Sequence, residues 1–514
     1  MPKLGENELD IKPDSIKIKD LIKGYKDTSI GIPEFQREYV WKENKVVYLI
    51  DSIYKKFPIG TLLIWAPPLR TTIKARRNKE INTSEWIIDG QQRTHSLVDA
   101  FDGTIKILFN PIDEKFIISK PKYENDMAYC PLEDIFDDKK YINIKEEIVK
   151  DHYTQRIDIE INLEKCRNLK EAEIPVVYMK NHPLENAVEV FKRINTSGTR
   201  LSGGDIESAQ LSFKQAGFIK KRVYKTLTRL RESSFDRIYP SHLFSACNTI
   251  LKSAPSDNNP TIFNIESEKL EIAWNKLDEG INWLIDLLKN ELKISDMTML
   301  WSGAMLMPIV VLAAKLKPGQ LDKGKIIRWL LLSAIKQRYS RSTLSVMRSD
   351  LKLCLYNEPI NKLISEIKKS NSLEITEKDL KGSYTERAIM LSLYIATIHN
   401  AGKDLLTGAV INSSNFSKVN YHHIFPKSRF SEDKKHTANV IGNIAIISAR
   451  ANNELLDNNP ENYLSTLKEA RRKSQMIPGD KNLWKQTSYQ KFIKARTNYI
   501  CLSINDFIKS KFKD

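Results

Sequence analysis

From residue 204 to about 400 strand signals nearly vanish, and this stretch limits the possible folds more than any other feature of the chain. Apolar residues recur at helical spacing along 209–218, 223–230, 272–292, 306–316, 326–335, 344–355 and 385–399. Clusters of Pro, Ser and Asn near 254–260 and 317–320 punctuate the pattern. Strand signals lie on either side of it. The chain, at 514 residues, also exceeds a usual single core. The expectation is therefore a multidomain α+β protein divided as 1–203, 204–400 and 401–514. No internal repeat or low-complexity tract is present.

Charge narrows the partners. The net charge is +17, which favours a phosphate-bearing partner. Residues 401–514 hold 19 Lys and Arg against 10 Asp and Glu, so more than half of the excess falls in under a quarter of the chain. That points the C-terminal part toward nucleic acid. The five cysteines are scattered, with no CxxC, which argues against a disulfide framework or a thiolate zinc site and for reduced, buried thiols. The polar N-terminus is not a signal peptide, and the longest apolar runs, such as 305–314, are too short to span a bilayer. The expectation is a cytoplasmic protein without membrane contact.

In the N-terminal part, Pro33 and the close aromatics of 32–41 predict an extended or looped segment. A helix follows at Val46, Val47, Leu49, Ile50 and Ile53, ended by Pro58-Ile59-Gly60. Residues 1–30 read as an amphipathic lead-in. Trp86-Ile87-Ile88 predicts a buried strand, Gly90 a tight turn, and Leu97, Val98 and Phe101 a helix. Asp89, Gln91, Gln92 and Arg93 thus crowd a strand-to-helix turn. Free backbone N–H groups there can seat a phosphate, Arg93 adds a forked donor, and Asp89 could hold a cation or orient a water. The same residues are equally well explained as a polar turn in which Asp89 pairs with Arg93. A second polar, Gly-containing loop starts at Arg193 and Asn195 and runs to Ser202. It reads either as phosphate-facing or as a helix end capped at Gly198.

The C-terminal part contains Tyr421-His422-His423-Ile424-Phe425-Pro426-Lys427 in a chain with only eight histidines. Asn443, Asn452 and Asn453 follow, with His436 between. Phosphodiester hydrolysis needs an activated water and charge neutralisation at the phosphoryl oxygens. A neutral imidazole can take the proton, while a second imidazole and a carboxamide oxygen are competent ligands for a divalent cation. Adjacent strand residues face opposite ways, so both rings serve one site only at a bend. The predicted order is an extended segment with the pair, a loop, a strand from Asn443, and a helix bearing Asn452. Basic helices with interleaved aromatics follow over 460–475 and 483–512.

His423-Ile424-Phe425-Pro426, Gly442-Asn443 and Asn452 resemble the HNH (ββα-metal, His-Me finger) nucleases. The resemblance implies His423 as general base, His422 as metal ligand, Asn443 as the residue that shapes the loop holding the base, and Asn452 as a second ligand, with Asn453 and His436 as rivals. Many members have Asp where His422 stands; His occurs there in colicin-type members. Phe35-Gln36-Arg37-Glu38-Tyr39-Val40-Trp41, Asp89-Gly90-Gln91-Gln92-Arg93 and Phe191-Lys192-Arg193-Ile194-Asn195-Thr196-Ser197-Gly198 resemble the three signature blocks of the ParB/sulfiredoxin-like α/β domain of GmrSD-type restriction proteins. Those proteins join this domain to an HNH domain in the same order. The resemblance implies a nucleotide triphosphate held by Gln36, Arg37, Asp89, Gln91, Gln92, Arg93, Arg193 and Asn195, and Mg or Mn at the HNH site. It further implies cleavage of modified phage DNA in antiviral defence, with NTP binding or hydrolysis as the control. Two further readings fit the same motifs: an NTP-responsive DNA-binding regulator whose HNH part does not cut, and a phosphorothioate-sensing nicking factor. A homo-oligomer is compatible with all three.

Overall fold

A run of apolar residues becomes a strand buried on both faces when successive side chains enter two different cores. Leu62, Ile64, Ile87, Ile174 and Val176 enter one core, and Leu63, Trp65, Trp86, Ile88 and Met179 enter another. These residues belong to the first of two compact units, Met1–Lys221 and Arg222–Asp514. The computed structural model describes residues 10–511 apart from 34–35, 37–38, 69–82, 124–125, 127, 198–202, 216, 259, 317 and 412–418.

The first unit holds β1 (Asp10–Lys17), β2 (Ile30–Gly31), β3 (Leu62–Ala66), β4 (Glu85–Asp89), β5 (Ile107–Asn110), β6 (Lys115–Ile118), β7 (Cys130–Pro131) and β8 (Glu173–Lys180). The main sheet has the order β1-β8-β3-β4-β2, and a smaller one the order β6-β5-β7. Strand β3 runs parallel to β8 and antiparallel to β4. The larger core lies under helices α1 (Ile18–Asp27), α2 (Glu43–Tyr54) and α3 (Gln91–Phe101). The smaller core takes Ala187, Val188 and Phe191 from the helix Leu184–Ser197.

One expectation needs correction in this unit, and one element had no pattern to mark it. Within the amphipathic lead-in, ahead of α1, Asp10–Lys17 is an edge strand paired antiparallel to β8 from Asp10↔Lys180 to Lys17↔Glu173. Its Pro13 is tolerated because an edge strand has one unpaired side. The loop expected to begin at Arg193 is helical through Ser197, with Arg193 Nε donating to Glu189 one turn earlier at 3.0 Å. Gly198, the expected cap, lies outside the described residues.

The helix Gly203–Lys214 belongs to the first unit, and the second unit holds the helical stretch from Arg222 onward together with the C-terminal segment. Its helices include Ser267–Asp286, Met307–Lys315, Lys323–Ile335, Thr343–Leu353 and Arg387–His399, and two the periodicity did not bring out, Pro240–Leu251 and Pro359–Lys368. Trp274, Trp329 and Phe244 are fully buried among them. Beyond these helices, β9 (Val419–His423) pairs antiparallel with β10 (Ile444–Ser448), followed at once by the helix Ala449–Leu455. This ββα element has a core of its own, with Ile424, Phe425, Ala445, Ile447, Ala451, Tyr463, Trp484 and Phe492. All five cysteines are buried and unpaired. Among the described residues no helix is long and apolar enough to cross a membrane.

Candidate functional site

The register of β9 against β10 places Ile444 opposite His423 and Ala445 opposite His422. The two rings therefore leave the strand on opposite sides. His422 turns inward and is 2% exposed. Its Nδ1 lies 3.1 Å from Asn452 Oδ1 and its Nε2 3.4 Å from the Tyr463 hydroxyl. That hydroxyl has one proton and also faces Ile424 O, at 3.1 Å. The shorter contact takes the proton, since a carbonyl can only accept. The Asn452 oxygen likewise can only accept, so His422 Nδ1 carries the ring proton and donates to it, and the Tyr463 hydroxyl stands 3.4 Å from the unprotonated Nε2. Burial pushes the His422 imidazole down to about 4, the bond to Asn452 opposing, so the ring is neutral near pH 7.

His423 is half-buried and faces the other way. Its Nε2 is 3.0 Å from Asn439 Oδ1, and the Tyr384 ring meets it edge to face at 5.4 Å. Burial lowers its pKa, the Asn439 bond opposes this, and the charge of Lys427 lowers it further. Among the described residues Nδ1 makes no hydrogen bond. A neutral ring anchored at one nitrogen and unengaged at the other is the form a proton acceptor needs.

Asn443 is wholly buried and braces the turn that follows the pair. Its Oδ1 accepts from Phe425 N at 2.8 Å, and its Nδ2 donates to Phe425 O at 3.0 Å and Ala438 O at 2.9 Å. Behind it, the fully buried Arg496 donates to Ile441 O, Gly442 O and Gln475 O, at 3.0 to 3.2 Å. Burial lowers that guanidinium to about 9. The rival ligands His436 and Asn453 are exposed, and Asn452 is the carboxamide that reaches His422. Asn439, Tyr463 and Tyr384 were not singled out by any motif. Asparagine and tyrosine carry no spacing signal, and the His423–Asn439 and His422–Tyr463 contacts bridge 16 and 41 residues.

In the first unit Asp89 ends β4, Gly90 turns at φ +98, and α3 begins at Gln91. A Cβ at Gly90 would stand 2.1 Å from Leu62 Cδ2, so the turn requires glycine. As the N-cap of α3, Gly90 has no side chain with which to cap the helix. Arg93, 14% exposed, donates to Ile59 O and Thr61 O, both at 2.9 Å, and to Asp89 at 3.1 Å. Gln36 Nε2 donates to Ile87 O and Ile88 O at 2.7 and 2.8 Å, and Gln92 Oε1 accepts from Val40 N at 2.9 Å. These side chains tie the 32–41 segment and the β3 approach to the β4–α3 turn. Gln91 is buried beside them. Arg193 lies on the helix Leu184–Ser197, exposed and paired with Glu189. Asn195 lies on the same helix with its side chain outside the described residues, and Arg37 is outside them altogether.

Residues 18–212 match the family model of the GmrSD restriction endonuclease N-terminal domain, and this part of the chain is similar to that domain. The match spans nearly the whole first unit and ends far short of the histidine pair. An uncharacterized protein of Methanocaldococcus jannaschii is 23% identical over 540 residues, covering 90% of this chain and 88% of its own.

Proposed function

We propose that the chain is a modification-dependent DNA endonuclease of the restriction type, in which the ββα element is an HNH nuclease site and the N-terminal unit a nucleotide-responsive control. The observation that carries this reading is His423, the last residue of β9 before the chain bends at 424–425: neutral, anchored through Nε2 and unengaged at Nδ1, and next in sequence to the His422–Asn452 pair. His423 would take a proton from water at Nδ1 as the water attacks phosphorus. Asn443 would keep the loop that carries the base from relaxing, and Lys427 would add positive charge next to the phosphate.

His422 and Asn452 fit a divalent cation such as Mg or Mn. Nδ1 of His422 and Oδ1 of Asn452 stand 3.1 Å apart, and adjacent ligands of a six-coordinate ion with bonds of about 2.1 Å stand roughly 3 Å apart; to ligate, the imidazole would move its proton from Nδ1 to Nε2. The Tyr463 hydroxyl, 3.4 Å from Nε2, would then accept from Nε2–H behind the ion, as a hydrogen-bond partner of a ligating imidazole does. Among the described residues no cluster of three or more His, Cys, Asp or Glu competes for the ion. When bound, the cation would neutralise the phosphoryl oxygens and the leaving oxygen.

For the N-terminal unit the glycine turn at the start of α3 is the proposed seat for the phosphates of an NTP. Gln36, Gln92 and Arg93 would act there mainly by holding the turn in shape, with Arg37, Asp89, Gln91, Arg193 and Asn195 as the remaining candidates for contact. The proposed division is a nucleotide-binding domain (1–203), a helical domain (204–400) and a nuclease domain (401–514), in a cytoplasmic protein acting on phage DNA. The test is cleavage of a panel of modified and unmodified phage DNAs, with and without NTP, in Mg or Mn. The proposal predicts cutting that depends on the metal, the modification and the nucleotide. No cutting of any DNA under any of these conditions would overturn it.

A further inference from the structure

His423 is aimed by a residue that belongs to no motif, and that residue is gripped from the helical part of the same unit. The oxygen of the Asn439 carboxamide can only accept, so the 3.0 Å contact fixes the proton on His423 Nε2 and leaves Nδ1 with the lone pair. The main chain of Asn439 is held as well. Its carbonyl accepts from Tyr384 N at 2.8 Å, and Ser383 forms an antiparallel bridge with the next residue, Val440. The Tyr384 ring then backs the His423 imidazole at 87° and packs on Tyr421 at 5.6 Å.

Residues 375–386, the segment that carries Tyr384, are fastened at both ends. Asn505, on the helix Tyr489–Ser510, binds both main-chain groups of Ile375 at 2.9 Å. Lys336, just after the helix Lys323–Ile335, pairs at 2.9 Å with Asp379, which also accepts from Thr376. At the other end Ser383 N donates to Glu386 at 3.0 Å, in the residue before the helix Arg387–His399. Gly382 turns at φ +141, where a Cβ would stand 2.6 Å from a Glu386 oxygen.

An imidazole turns freely about its second torsion unless something holds it. We infer that Asn439 is a positioning residue for the base His423, and that the 382–384 segment sets the place of Asn439 and of the ring, so that the helical packing determines where the base points. The inference rests on the nuclease reading above. It gives Tyr384 and Asn439 an effect on turnover that substrate binding does not share. A misplacement of about 1 Å at a reacting group can cost on the order of a hundredfold in rate.

The experiment uses the full chain labelled with 15N-histidine, with the His423 resonance assigned by its loss in His423→Gln. The wild type should show a protected Nε2–H proton for His423. Asn439→Ala should lose it and lower kcat roughly tenfold to a hundredfold with KM and thermal melting little changed. Asn439→Asp, which keeps an acceptor oxygen, should retain the proton and recover most of kcat. Tyr384→Ala should also lower kcat, and the double variant should fall no further than Asn439→Ala alone, because both act through one ring. Persistence of the protected proton in Asn439→Ala, or additive losses in the double variant, would overturn the inference. An unaffected cutting rate in His423→Gln would instead overturn the nuclease assignment, and the proton resonance separates the two failures.

Discussion

Removing the Asn443 carboxamide should open the turn after the histidine pair. The side chain is fully buried, and its three bonds all go to main-chain groups: Phe425 N–H, Phe425 C=O and Ala438 C=O. Asn443→Ala leaves those three groups without a partner in an interior that water does not reach. Each such loss costs about 1–3 kcal/mol, and two of the three are carbonyls, which tolerate it better, so the expected cost is about 3–5 kcal/mol. Asn443→Asp keeps the acceptor for Phe425 N–H but sets a carboxylate against two carbonyls, so it should be no more stable than the alanine variant near pH 7. The direct assay is hydrogen exchange at the Ile424 and Phe425 amides. Ile424 N bonds the Asn443 main-chain carbonyl at 2.8 Å, a bond that neither substitution removes. Exchange there should accelerate by roughly a hundredfold to a few thousandfold, the equivalent of that free energy. Unchanged protection together with a cost below about 1 kcal/mol would refute the reasoning, and so would an aspartate variant as stable as wild type.

Acid should weaken the helical part of the second unit through His242. This ring is 5% exposed, its Nδ1 accepts from Tyr239 N at 3.3 Å, and burial pushes its pKa down to about 4. The folded value lies below the unfolded one of about 6.5, so its contribution is complete above pH 6.5 and is lost as pH falls toward 4, on the order of 3 kcal/mol at full extent. Urea titrations over that range should lose slope in His242→Gln; an identical pH dependence in the variant would contradict this. In the first unit Arg93→Ala should cost about 2–4 kcal/mol, because Ile59 O, Thr61 O and Asp89 lose one shared donor. Arg93→Lys should recover little of it, since an ammonium cannot span all three. Melting temperature checks this, and an unchanged value with weakened nucleotide binding would assign the guanidinium to the ligand instead of to the turn.

The parts of the fold that sequence makes visible are those where burial imposes a period. The run at Glu85–Asp89 is apolar because both faces are covered, and it is a strand where Trp86-Ile87-Ile88 predicts one. The edge strand Asp10–Lys17 is exposed along most of its length and contains proline, so no periodic signal marks it. The histidine pair was visible as chemistry, and the divergence of its rings follows from strand geometry alone. What was not visible is what each ring touches. Asn439, Tyr463 and Tyr384 come from the end of the 3-10 helix Glu432–Asn439, the α-helix Pro460–Thr466 and a remote segment, and such contacts are set by tertiary packing. The Asp89–Arg93 turn shows the same limit. Its spacing is compatible with a phosphate seat and with a braced turn, and the folded chain places Arg93 and Asp89 in one ion pair with glycine at the N-cap of α3.

The account turns on His423 as the proton acceptor of a metal-dependent DNA cleavage. Its most direct test is single-turnover cleavage of a susceptible DNA by His423→Ala beside the wild type, in Mn and after chelation, with DNA binding measured on the same preparations. The account predicts that the variant binds DNA like the wild type but cuts slower by on the order of a hundredfold to ten-thousandfold, and that chelation stops the wild type. Cutting by His423→Ala at the wild-type rate, or wild-type cutting that survives chelation, would contradict it.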